Sequence, residues 1–185
     1  MDSLIFYIFL FVHLTSLIVG FGAVLVTDFF GLLWLRKKIT MEFMVNISGQ
    51  TKKLIWLGWF GLVFSGIFLI AQKGYIDNLT QIKLFFVAMI GVNGIFLHKI
   101  HKMLDRFGDN DLPPLFKFRI ALASIVSQVG WWGAIFIGFI HRHWRHDIPW
   151  PENPWFYMLL IAGTFMVLLL IGELILGHNR NNNQN

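Results

Sequence analysis

Residues 4–35 read LIFYIFLFVHLTSLIVGFGAVLVTDFFGLLWL, and His13 and Asp28 alone break the run with an imidazole or a charge. A helix rises about 1.5 Å per residue and a bilayer core is about 30 Å thick, so about 20 such residues cross it. This run is overlong. As a helix it has to tilt or project, which places its Asp28 end near or past the headgroups. Met1-Asp2-Ser3 supplies no positive leader, and Phe and Leu continue where a cleavage site needs small residues. The run therefore reads as a retained helix and not as a secretory signal.

Four further apolar stretches follow, Leu54–Gln72, Leu79–His98, Phe118–Ile140 and Pro154–Leu176. The expected fold is all-α and polytopic, a bundle of five transmembrane helices in one domain over 1–177. A polar, Asn-rich tail at 178–185 is expected to be disordered. The composition agrees: of 185 residues, 56% are hydrophobic and 14% charged, too few charges to clothe a soluble surface. A chain of this length cannot add a sizeable soluble enzyme domain to a membrane domain. The absence of cysteine excludes disulfides, thiolate metal sites, iron–sulfur clusters and cysteine nucleophiles.

A net charge of +5 would suggest nucleic acid in a soluble protein. Here the basic residues flank the apolar runs, and no nucleic-acid partner is expected. Arg36, Lys37, Lys38, Lys52 and Lys53 lie between the first two runs, and Lys99, Lys102, Arg106 and Lys117 between the third and fourth. The opposite loops hold only Lys73, Arg142 and Arg145. The bias puts the first set in the cytoplasm, with the N-terminus outside and the C-terminus inside a multi-pass protein of the cell inner membrane. Neither 36–53 nor 99–117, read as loops, carries a phosphate-binding glycine loop, a zinc-protease helix or a nucleophile elbow.

Ionisable residues within apolar spans are costly, about 2.5–3.5 kcal/mol on insertion scales, and so mark candidate sites. His13 and Asp28 on the first span and Lys83 and His98 on the third share one spacing, which brings each pair to roughly one helix face about 22 Å apart. An outer layer would hold His13 and Lys83 below the loop residues His141 and His143. An inner layer would hold Asp28, His98 and Glu173, whose imidazole and carboxylates suit a divalent metal ion or a proton relay. The plainer alternative is that these inner groups snorkel to water and meet Arg36 or Lys99, that Lys83 reaches outward past Leu79, and that His13 bonds Thr15, Ser16 or a helix carbonyl.

His141-Arg142-His143-Trp144-Arg145-His146 is the densest basic cluster. Arg142 and Arg145 repel cations but can grip an anionic edge such as haem propionates, lipid phosphates or a quinone head group; otherwise the segment is an interfacial aromatic and basic belt. Gly20, Gly22, Gly58, Gly61, Gly66, Gly91, Gly94, Gly130 and Gly133 mark places where helices approach closely, within the chain or between copies of it. Ser124, Ser127, Gln128 and the Trp131-Trp132 pair are expected to line the interior.

Val12-His13-Leu14 followed by Gly20-Phe21-Gly22, Phe64-Ser65-Gly66-Ile67 near the end of the second span, and Ile82-Lys83-Leu84 opening the third are together similar to one group of small bacterial membrane proteins. That group comprises the relatives of the oxygen-independent protoporphyrinogen oxidase and the copper-resistance D family, and the resemblance covers roughly residues 4–140. It implies that His13 and Lys83 stand where the oxidase has its haem-associated histidine and lysine. Thr27-Asp28-Phe29 replaces the oxidase's proline-arginine pair, and His98 lies about one turn further from Lys83 than the oxidase's corresponding histidine. An oxidase activity is accordingly not carried over, and the fifth span with Glu173 is an addition.

Three functions are open on the sequence. The first is a membrane b-type haem protein moving electrons, as an electron carrier or an oxidoreductase, between a quinone and a redox partner protein, with His13 as axial ligand and Lys83, His143 or an exogenous ligand opposite. The second is a transporter of a cation, proton or metal using Asp28, His98 and Glu173. The third is a non-catalytic membrane subunit or assembly factor.

Overall fold

In a computed structural model, residues 3–104, 112–144 and 152–182 are described, the backbone alone at 3, 104, 141, 142 and 178–182. Among these residues all regular structure is helical: α1 (Ser3–Leu35), α2 (Met41–Lys73), α3 (Asn78–Leu104), α4 (Pro114–His143) and α5 (Pro154–Asn182). All five are long and apolar enough to cross a membrane. They fall into two compact units, α1 with α2 and α3 with α4 and α5, divided after Asp77.

The helices outrun the apolar stretches. Residues 41–53, expected in a loop, form the first turns of α2, and 99–104 and 114–117 are likewise helical. Helix α5 also continues past Leu176 to Asn182, into the segment expected as a tail, while 183–185 lie outside the described residues. Capping chemistry sets these ends, and hydropathy does not register it. Lys37 takes a left-handed conformation at φ 57°. Its N–H bonds the Trp34 carbonyl and the Lys38 N–H bonds that of Leu33, a Schellman stop for α1. Thr40 then accepts the Phe43 N–H at 3.3 Å and starts α2, with Glu42 in its first turn. Gly74, at φ 76°, ends α2, and Pro114 occupies the first position of α4.

In the first unit, α1 and α2 pair antiparallel along most of their length. Phe9 stacks on Phe68, His13 meets Ser65, Thr27 meets Thr51, and Phe30 meets Phe43 edge to face. The backbones come close at Gly58, where an added Cβ would run into the Gly20 backbone and reach the Ser16 carbonyl oxygen at 2.7 Å. Small residues at these positions let the two backbones touch.

In the second unit, Leu79 and Phe86 of α3 form a core with Ala134 and Ile137 of α4, and Ile161 of α5 packs against it. The Phe86 ring lies over Gly133 and Ile90 over Gly130, while the Phe118 ring fills the space at Gly172 that joins α4 to α5. Trp131 is fully buried, but Trp132 is 55% exposed. The expectation that both tryptophans line the interior therefore fails. Adjacent helix residues are about 100° apart, so neighbours on one helix do not share a face.

Candidate functional site

His13 is half-buried on α1, and its Nδ1 lies 2.9 Å from Ser65 Oγ on α2. The sequence offered Thr15, Ser16 or a helix carbonyl as the partner of this ring, and the structure places Ser65 of the neighbouring helix at Nδ1. The antiparallel register decides the matter, because it sets Ser65 opposite His13 while Ser16 faces Gly61. Ser65 is wholly inaccessible, and its hydroxyl also lies 2.6 Å from the Gly61 carbonyl oxygen. Next along α2, Gly66 faces the same ring, and a Cβ there would sit 3.6 Å from His13 Cε1. One edge of the imidazole is thus fixed by a buried hydroxyl, beside a residue that adds no bulk.

Asp28, further along α1, is half-buried one residue after Thr27. Thr27 Oγ1 is 2.7 Å from Thr51 Oγ1 and 2.8 Å from the Ala23 carbonyl oxygen, and Thr51 reaches back to the Ile47 carbonyl at 3.0 Å. This hydroxyl chain ties the two helices together about two turns before α1 ends.

In the second unit the Lys83 ammonium lies across Gly138 of α4, 3.6 Å from where a Cβ would be, so the stem runs along the neighbouring helix. His98 is half-buried near the end of α3. Glu173 meets Arg119 in a two-pronged ion pair, Nε to Oε1 at 2.5 Å and Nη2 to Oε2 at 2.7 Å. The snorkelling partner expected for Glu173, Arg36 or Lys99, is replaced by this arginine across α4. Among the described residues no group of three or more His, Asp or Glu side chains is placed to hold a metal ion.

At the end of α4, His143 is exposed, stacks on the Phe139 ring at 4.6 Å and donates Nδ1–H to the Phe139 carbonyl at 3.0 Å. Arg145 lies outside the described residues, as do the side chains of His141 and Arg142, so the two arginines expected to grip an anionic edge fall outside what the structure describes.

Sequence reading passed over two polar residues. Arg119 sits one position inside the fourth apolar stretch, and Asn93 sits in the middle of the third. Asn93 is buried and donates Nδ2–H to the Ala123 carbonyl at 2.8 Å, an α3–α4 link. A search for every amide and guanidinium inside an apolar run would have found both.

Compared with protein-family models, curated proteins and solved structures, the chain matches none.

Proposed function

We infer that this protein is a multi-pass membrane protein that binds b-type haem through His13 and serves electron transfer. The membrane part is supported by five apolar helices and by large exposed apolar side chains such as Phe11, Leu159 and Leu174. The lysine and arginine bias supports an inner-membrane protein with its N-terminus outside.

The observation that carries the haem reading is the His13–Ser65 contact. A ligating histidine ordinarily binds iron through one ring nitrogen while the other is tied to a polar partner that fixes the ring plane. His13 has Nδ1 tied in this way, beside Gly66. It stands ten residues after Ser3, about 15 Å along α1 and well inside the apolar run. These residues fit haem as the donors of one axial ligand. Bound haem would supply one-electron chemistry, with a quinone and a redox protein as the partner classes. The resemblance on Val12-His13-Leu14 and Ile82-Lys83-Leu84 points the same way, and its transfer of the haem-associated roles rests on those residues alone.

The test is the absorption spectrum of purified protein produced with ample haem. A Soret band that is lost in His13→Ala supports the reading, and a band unchanged in that variant refutes His13 as the ligand. Lys83→Met and His143→Ala, measured alongside, decide whether either residue is a second ligand.

A second reading, a non-catalytic membrane subunit, is favoured by one specific observation. Thr27–Thr51, Asn93–Ala123 and Arg119–Glu173 are all contacts that join neighbouring helices. Colourless protein that co-purifies stoichiometrically with a membrane complex supports this reading over the first.

A further inference from the structure

Ser65 is a small residue in an apolar helix with no accessible surface, and two oxygens and a nitrogen surround its single hydroxyl. The nearest is the Gly61 carbonyl oxygen at 2.6 Å, one turn back along α2. The Leu62 carbonyl oxygen is at 3.3 Å and His13 Nδ1 is at 2.9 Å. A hydroxyl carries one proton, and a carbonyl oxygen can only accept. Two oxygens 2.6 Å apart with no proton between them repel, so the hydroxyl proton goes to Gly61. What Ser65 then offers His13 is a lone pair. The proton between them has to come from the imidazole, so His13 is protonated at Nδ1 and carries its lone pair on Nε2.

We propose that Ser65 is the positioning residue of His13, holding the ring in its Nδ1–H tautomer and so making Nε2 the ligating nitrogen. The proposal rests on the reading of His13 as a haem ligand for its purpose, but the tautomer stands on the hydrogen-bond chain alone. A neutral imidazole has one acceptor nitrogen, and which ring nitrogen that is follows from the hydrogen bond the other one makes. Ser65 supplies that bond at Nδ1. The helix supports it in turn, because the i−4 carbonyl that takes the hydroxyl proton is part of the same rigid turn. Gly61 in particular cannot be enlarged, since a Cβ there would collide with Ser16 Oγ. The carbonyl, the hydroxyl and the imidazole are thereby linked in one chain of contacts across the α1–α2 seam.

The experiment uses the full chain in detergent micelles with 15N-labelled histidine, at about pH 8, above the ordinary imidazole pKa of about 6.5. The His13 signals are assigned by their loss in His13→Gln. The expected wild-type pattern has a protonated-type shift at Nδ1 and an unprotonated-type shift at Nε2. Ser65→Ala and Ser65→Cys should both move the pattern toward the other tautomer, the cysteine nearly preserving volume so that packing is separated from hydrogen bonding. Ser65→Thr, which keeps the hydroxyl and its i−4 bond, should restore the wild-type pattern. Hemin titration of the same proteins should show affinity weakened by about 10–100-fold in the alanine and cysteine variants.

An Nδ1–H pattern that survives in both Ser65→Ala and Ser65→Cys overturns the proposal, as does an Nε2–H pattern in the wild type. A Ser65-dependent tautomer in a protein that takes up no hemin supports the positioning role and removes the haem reading.

Discussion

The Arg119 guanidinium grips both carboxylate oxygens of Glu173, at 2.5 Å and 2.7 Å, and so pins α5 to α4 beside the Phe118–Gly172 contact. Each side chain is about a third exposed, which moderates the worth of the pair. Arg119→Leu should destabilise the protein by about 1–2 kcal/mol in a reversible detergent–SDS unfolding titration, because it strands a carboxylate among apolar helices. The double variant Arg119→Leu/Glu173→Leu should lose less than the single one, since no charge is left without its partner. Arg119→Lys should recover only part of the loss, an ammonium being unable to form the fork. Additive single and double effects would show that the pair does not couple the helices.

Gly58 should tolerate no side chain. A Cβ there meets the Gly20 backbone nitrogen at 2.5 Å and the Ser16 carbonyl oxygen at 2.7 Å, and neither can swing away. Gly58→Ala should cost about 1–3 kcal/mol in the same titration, the usual range for overpacking a close contact. Gly22→Ala is the control, with nothing within 4 Å of the new methyl, and should be neutral or slightly stabilising. Equal effects at the two positions would contradict the α1–α2 register.

Lys37 sits at the left-handed stop of α1, where a side chain costs about 1 kcal/mol or more that glycine avoids. Lys37→Gly should therefore raise the thermal midpoint of the purified protein even though it makes the unfolded chain more flexible. A lowered midpoint would mean that the lysine side chain contributes more than its backbone strain costs.

The five helices were legible in the sequence because each contains a long apolar run, and Gly20 and Gly58 were legible as places where helices approach, although their pairing with one another was not. Helix ends were not. Hydropathy stops at Leu54, whereas the Thr40 cap starts α2 at Met41, and the polar residues 46–53 are helical without any apolar run to announce them. His13 stood out as an imidazole in a span, but its partner did not, because choosing Ser65 over Ser16 needs the register of two helices. Arg119 was hidden at the edge of a stretch whose start was placed one residue before it, and its value lies in Glu173, 54 positions away.

Asn93 tests the α3–α4 seam separately. Its amide is buried against the Ala123 carbonyl, so Asn93→Ala should cost about 0.6–1.7 kcal/mol, the span of interhelical hydrogen bonds in membranes. The unfolding titration reads it, and an unchanged midpoint in Asn93→Ala would mean that the bond contributes nothing to the seam.

The central claim, that His13 holds haem, is tested most directly by the dithionite-reduced minus oxidised absorption spectrum of detergent-purified protein expressed with ample haem, quantified as the pyridine haemochrome. The account predicts a Soret band with reduced α and β bands at about one haem per chain, absent in His13→Ala at unchanged helicity. A colourless wild-type protein under those conditions, or a His13→Ala variant with the full spectrum, contradicts it.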